Sequence, residues 1–301
     1  MSREELSSLV TEASDPRYAQ VDAMSVAELA AAMNQADATV PGAVRAALPQ
    51  IVAAIEATAA AMAQGGRLIY VGAGTAGRMG VLDASECPPT FSTPPDQVFA
   101  LIAGGPGAIV TPVEGAEDDA AAGAAAIDAA GVGPNDCVVG VASSGRTPYV
   151  LGAVRRARAR GALTVGFACN VGTKLARAAA YPVEVEVGPE VIAGSTRLKA
   201  GTAQKLVLNM FSTIVMVRLG KTYGSLMVDV RATNHKLRER AIRIVQAIAG
   251  VEREPALGAL EAVGYDVKVA VLMLARGCTA EAARTRLEAA AGRLRVALEE
   301  A

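Results

Sequence analysis

The chain has no tryptophan and a single histidine, His235, among its 301 residues, and its four cysteines (Cys87, Cys137, Cys169, Cys278) are scattered with no CxxC pair. That scarcity argues against a zinc site or a disulfide framework and makes a reduced, cytoplasmic setting the default. An excess of charge is also missing. With 29 basic against 30 acidic residues, nucleic acid is not the expected partner. No apolar run is long enough to span a bilayer, and MSREELSS lacks the charged-then-apolar pattern of a signal peptide, so no membrane association is expected. What is abundant is alanine and glycine, which suits a helix-rich α/β enzyme with close packing between layers. The length allows one large domain, or a large one and a small one.

The chain is organised around RLIYVGAGTAGRMGVLDASE, Arg67 to Glu86. The run Leu68–Val71 reads as a buried strand, Gly72, Gly74 and Gly77 as a tight turn, and Met79, Val81 and Leu82 as the start of a helix. A strand, a glycine turn and a helix N-terminus together form a place where an anion can meet unpaired amides and the positive end of a helix dipole. Close strand–helix packing explains the same glycines.

Residues before about 40 are polar, and Ser25-x-x-Glu28 is a capping box that opens a short helix. From Pro41 to Ala63 the apolar spacing is helical, with Pro49 placed to kink or split it. Further strands are read at 98–102, 137–141, 163–167 and 183–187, the last alternating as an edge exposed on one face. Helices are expected between them: an alanine-rich one ending near Ala130 with Glu114, Glu117, Asp118 and Asp119 near its start, one ending at Arg160, and one from Thr196 to about Leu219. Beyond Val230 the pattern is helical only, over 237–248, 254–263, 267–275 and 280–298. Alternating strands and helices predict an α/β fold, a doubly wound parallel sheet with N-terminal helices and a small C-terminal helical bundle, binding its ligand at the carboxyl ends of the strands.

Two strand ends offer hydroxyls and amides to an anion: Gly74-Thr75-Ala76-Gly77 and Ser143-Ser144-Gly145-Arg146-Thr147. Either could be turn chemistry alone, but two in one sheet point to phosphate. A third segment, with Ser195, Arg197 and Lys199, places cations at a helix start, against the dipole, which makes sense beside an anion. Glu86 and Glu117 each fall just past a ligand-facing element. On residues alone they are catalytic carboxylates or solvated charges, and at Glu117 an acid is also favourable simply as part of a helix start.

The segments GRLIYVGAGTAGRMGVLDASECPPTF, LIAGG, VEGAEDD, VASSGRTPYV and GPEVIAGSTRLKAGTAQKLVLNM together resemble the N-acetylmuramic acid 6-phosphate etherase family. That family belongs to the sugar isomerase (SIS) domain proteins and is related to the glucokinase regulatory protein. The resemblance runs from Thr11-Glu12 through Asn209 and on into VDVRATNHKL. It implies a flavodoxin-like SIS phosphosugar-binding domain over 51–230, between an N-terminal helical segment over 1–50 and a helical, UBA-like domain over 231–301. The implied activity is a lyase that removes D-lactate from N-acetylmuramic acid 6-phosphate, giving N-acetylglucosamine 6-phosphate in cell-wall sugar recycling, with neither metal nor other cofactor.

The family's two active-site glutamates fall on Glu86 and Glu117, and its phosphate loops on Gly74–Gly77 and Ser143–Thr147. One departure is Ala76, where the family usually has serine; a missing hydroxyl donor to a charged phosphate costs roughly 1.5–3 kcal/mol. The lactyl ether lies β to the C1 aldehyde of the open-chain sugar, so a base at C2 and an acid/base at C3 suffice; Glu117 is assigned as the base and Glu86 as the acid. If the helix runs unbroken to Glu86, that residue lies ~15 Å beyond the phosphate end. A homodimer sharing its active sites is therefore expected. His235 reads as an ordinary surface histidine, although ring opening needs a proton shuttle. The rival readings are a non-catalytic phosphosugar-sensing regulator and an aldose–ketose phosphosugar isomerase.

Overall fold

The computed structural model of the chain describes residues 9–232 and 234–299; MSREELSS, read above as lacking a leader pattern, lies outside them. The described residues divide into two compact units, one within Met1–Ser85 and Asp96–Ser212, the other within Glu86–Pro95 and Thr213–Ala301.

The first unit is built on five parallel strands: β1 (Leu68–Gly72), β2 (Val98–Ile102), β3 (Cys137–Val141), β4 (Leu163–Ala168) and β5 (Tyr181–Glu184). Their spatial order is β2-β1-β3-β4-β5. β1 and β3 are buried along their whole length, as continuous apolar runs are when helices cover both faces of a sheet. The chain leaves β1 for β2 on one side and later returns to lay β3 on the other. That reversal opens a crevice beyond the carboxyl ends of β1 and β3.

The helices are α1 (Val26–Asp37), α2 (Val40–Ala46), α3 (Leu48–Ala63), α4 (Gly74–Phe91), α5 (Ala120–Ala129), α6 (Pro148–Ala159), α7 (Lys174–Ala178) and α8 (Lys199–Arg218). Ser25 and Glu28 form the reciprocal capping box of α1: the Ser25 amide donates to the Glu28 carboxylate at 2.8 Å and the Glu28 amide to Ser25 Oγ at 3.3 Å. Pro49 splits the helical pattern. It sits in the first turn of α3, where its missing N–H has no helical acceptor to lose. α5 and α6 meet backbone to backbone: a Cβ on Gly123 would lie 2.0 Å from the Tyr149 carbonyl, and one on Gly152 2.0 Å from that of Ala120. Ile69, Val71 and Val138 of the sheet pack with Ile127, Val150 and Val154 of these two helices.

Several boundaries differ from the sequence expectation, and three in the first unit have a clear local reason. The alanine-rich helix starts at Ala120, because Gly115 adopts a left-handed conformation (φ 72°) and Asp119 caps the helix through Ala122 N at 2.8 Å. Glu117 is thereby left in a 3-10 turn, Ala116–Asp118. α8 starts at Lys199, where the buried Glu190 carboxylate accepts the Lys199 amide at 2.9 Å and the Ala200 amide at 3.0 Å. β5 is indeed an edge but ends at Glu184, whose amide turns to Gln50 Oε1 on α3 at 2.8 Å.

The second unit, taken by itself, carries a short hairpin, β6 (Thr222–Tyr223) and β7 (Leu226–Met227), and five helices: α9 (His235–Ala249), α10 (Arg253–Ala262), α11 (Val267–Arg276), α12 (Ala280–Ala289) and α13 (Leu294–Glu299). Ile242, Val245, Leu260, Val271, Leu272 and Leu294 form its core. The single last helix expected from the sequence is two, because Ala291 and Gly292 take positive φ values and turn the chain. Among the described residues no single helix is long and apolar enough to cross a membrane.

Candidate functional site

A cavity of about 370 Å³ occupies the crevice beyond β1 and β3 in the first unit. Five segments build it. The first is the start of α4, with Ala73, Gly74, Thr75 and Ala76 on the wall. Gly72 makes the turn from strand to helix tight, since a Cβ there would fall 2.5 Å from Gly77 N. The first amides of α4 lack helical acceptors and carry the positive end of the helix dipole.

The second is the loop from β3 into α6, whose Ser143, Ser144, Arg146 and Thr147 line the cavity. Gly145 makes this loop possible: its φ is +63°, and a Cβ would meet the Thr173 side chain at 2.4 Å. Ser143 is held from three directions. Its carbonyl accepts from the Cys169 amide and from Asn170 Nδ2, both at 2.9 Å, and its Oγ accepts from Gln204 Nε2 at 2.8 Å. The hydroxyl of Ser144 accepts from the Arg146 amide at 3.2 Å.

The third is the turn that carries Glu117 and Asp118, both on the cavity wall. The fourth is the N-terminal turn Val10–Glu12, which brings Glu12 to the wall, and the fifth is the stretch that carries Thr196. Asn170 anchors that turn: its Oδ1 accepts from Val10 N at 2.8 Å, and its Nδ2 donates to Thr11 Oγ1 at 3.0 Å as well as to Ser143. Gly194 leaves room for the Glu12 carboxylate, whose Oε2 lies 3.0 Å from where a Cβ would stand.

Of the residues singled out in the sequence, Gly74, Thr75, Ala76, Glu117, Ser143, Ser144 and Thr147 line the cavity. Gly77 lies behind it against Ile102, and Gly145 behind it against Thr173. Thr196 reaches the wall, whereas its neighbours Ser195 and Arg197 do not. Lys199 is 4% exposed and donates to the Val187 carbonyl at 2.7 Å. Burial lowers the Lys199 ammonium from its ordinary value, against the opposing pull of Glu190; burial likewise raises the Glu190 carboxyl, against its two backbone hydrogen bonds. Glu86 is exposed near the end of α4 and belongs to the second unit.

Glu12, Asn170 and Gln204 were given no role by the sequence, although Thr11-Glu12 opens the segment of family resemblance and Gln204, like Asp118 and Arg146, lies inside a quoted segment. A second polar cluster supports α4 from within. Asp83 accepts from Tyr70 OH at 2.8 Å, Asn209 Nδ2 at 2.6 Å and Ser212 Oγ at 3.0 Å; burial raises its carboxyl even so. Among the described residues no three His, Cys, Asp or Glu side chains gather where they could hold a metal ion. The cavity's equipment is amides, hydroxyls, one guanidinium and carboxylates, which suits an anionic ligand handled by acid–base chemistry.

Residues 50–158 match the glucokinase regulatory protein N-terminal SIS domain family, and residues 120–214 match the SIS domain family. Three relatives named N-acetylmuramic acid 6-phosphate etherase are similar over nearly their full length. That of Streptomyces avermitilis is 58% identical, over 98% of this chain and 94% of the relative. That of Rubrobacter xylanophilus is 58% identical, over 99% and 98%. That of Streptomyces coelicolor is 56% identical, over 98% and 95%.

Proposed function

The chain belongs to the N-acetylmuramic acid 6-phosphate etherase family, and from that membership we propose that it cleaves the D-lactyl ether of N-acetylmuramic acid 6-phosphate, giving N-acetylglucosamine 6-phosphate and D-lactate. It is a carbon–oxygen lyase built on an SIS fold. The observation that carries the reading is the gathering of both serine- and glycine-rich loops and Glu117 around one cavity at the switch point of the sheet.

The phosphate is held by the first amides of α4 and the hydroxyls of Thr75, Ser143, Ser144 and Thr147, with Arg146 offsetting its charge. Tethered there, the opened sugar presents C2 to Glu117. Glu117 takes the C2 proton, the electron pair delocalises into the C1 aldehyde, and the C3–O bond breaks as Glu86 protonates the departing lactate oxygen. Water, deprotonated by Glu86, then adds at C3 of the unsaturated aldehyde, and Glu117 returns a proton to C2. Atoms balance with water as the only co-reactant. A cytoplasmic reaction within cell-wall sugar recycling is the setting that four scattered cysteines with no CxxC pair favour.

The division of labour between the glutamates bears on assembly. α4 runs unbroken through Glu86, which places on the order of 15–20 Å of helix between its phosphate-facing end and that carboxylate. A homodimer in which each site draws on both copies accounts for this. Exposed apolar side chains, Leu82 on α4 and Ile214 and Val217 on α8, favour such an assembly.

Incubating the purified protein with N-acetylmuramic acid 6-phosphate and assaying lactate tests the activity, and separates it from a sensor, which releases none, and from an isomerase, which yields a ketose. In deuterated water the Glu86→Gln variant is expected to exchange the C2 hydrogen without releasing lactate. Loss of exchange in that variant reverses the two roles.

A further inference from the structure

Gln204 sits on α8, fully buried, and does not itself line the cavity; its Nε2 donates at 2.8 Å to the Oγ of Ser143, which does. We propose that Gln204 is a positioning residue that aims the Ser143 hydroxyl proton into the cavity, where it donates to the substrate phosphate. The inference rests on the phosphate assignment made above and adds a residue to it. A serine hydroxyl has one proton and two lone pairs. With one lone pair taken by the Gln204 amide from behind, the proton is left for the open side, and polarisation by the amide makes it a better donor. Ser144 repeats the pattern, its Oγ accepting from the Arg146 amide, so neighbouring hydroxyls are both engaged through oxygen and both keep a proton for a ligand.

The orientation of the amide decides where the serine proton goes. Gln204 Oε1 is buried with no partner among the described residues. As placed, the amide nitrogen can only donate, so the serine proton is not spent on Gln204; turned over, the amide oxygen would consume it. The Ser143 main chain is already fixed through its carbonyl by Cys169 N and Asn170 Nδ2, so Gln204 has only the hydroxyl left to set.

The test compares Gln204→Met and Gln204→Glu, which keep the side-chain volume, in steady-state lactate release from N-acetylmuramic acid 6-phosphate between pH 6 and 9. Methionine removes the donor; KM is expected to rise ~5-fold relative to wild type at every pH, with kcat changing less. Glutamate in this buried position titrates late. Neutral, it donates to Ser143 as the amide does; ionised, it takes the serine proton and repels the phosphate. The KM ratio of Gln204→Glu to wild type should therefore climb with pH, from within ~3-fold at pH 6 to ~30-fold or more at pH 9. Phosphate ionisation cancels in that ratio. A pH-independent ratio for the glutamate variant, or an unchanged KM in the methionine variant, overturns the proposal.

Should neither variant fold, Ser143→Ala on the intact Gln204 background decides: a KM raised ~10-fold upholds a donated proton, and an unchanged KM sinks it. A wild-type protein that binds no N-acetylglucosamine 6-phosphate in calorimetry removes the phosphosugar reading itself. That failure is distinct from a wild type that binds while the variants behave like it.

Discussion

Ala76 is the third residue of α4, 8% exposed, with its methyl group against the cavity wall. A hydroxyl at that point would join the amides that start the helix in facing the phosphate. Ala76→Ser is expected to lower KM for the phosphosugar by ~10-fold or more, the equivalent of roughly 1.5–3 kcal/mol for a hydrogen bond to a charged group. Steady-state kinetics beside wild type check this; an unchanged KM means position 76 does not meet the phosphate. Single residues also mark the limit of what the sequence discloses. Ser143 and Thr75 are legible because a hydroxyl follows an apolar run at a glycine turn. Glu12, Asn170 and Gln204 are not, because their roles depend on partners more than 60 residues away: Gln204 on Ser143 (61 residues), Asn170 on Thr11 (159 residues). No periodicity records such a meeting.

Between elements, the entry to β1 is fastened by Arg67. Its guanidinium holds the Asp136 carboxylate at 2.6 Å, donates to the carbonyls of Ala130 and Gly131 after α5, and lies over the Phe99 ring of β2. Asp136 answers by accepting the Arg67 amide at 3.0 Å and the Gly133 amide at 2.9 Å, so the starts of β1 and β3 share one clasp. Burial alone would raise this carboxyl, but the hydrogen bonds from Arg67 and Gly133 hold it below its ordinary value. For an acid lowered in the folded state, the stabilisation is present above the unfolded pKa and lost as pH falls through the folded one. Asp136→Ala is expected to cost about 2–3 kcal/mol at pH 7 in urea unfolding, with the gap to wild type closing as pH drops below about 4. A gap that stays constant to pH 3 contradicts the clasp. The elements themselves were largely readable, since β1 and β3 are unbroken apolar runs and Ser25-x-x-Glu28 announces α1. The start of α5 was not: four acids before an alanine run look like a first turn, and only the left-handed backbone at Gly115 shows that they precede the helix.

For the whole molecule, the proposed sharing of sites is open to a complementation test. Mixing Glu86→Gln with Glu117→Gln, each inactive alone, is expected to restore up to about a quarter of wild-type lactate release if each site takes one glutamate from each copy, since random pairing makes half the molecules heterodimers with one intact site. Strict failure to complement, with mixed dimers demonstrated by size and tag exchange, argues for sites contained in single chains. The doubly wound topology was legible at this scale because strands and helices alternate at regular spacing. That Glu86–Pro95 belongs with the second unit was not, because it lies in the middle of the first half of the sequence.

The edge formed by β5 limits how copies of this chain can join. Pro182 has no amide hydrogen to offer, and the Glu184 amide is already spent on Gln50. A neighbouring chain therefore finds little on that border to knit onto, and a continuous sheet running from one molecule to the next is closed off there.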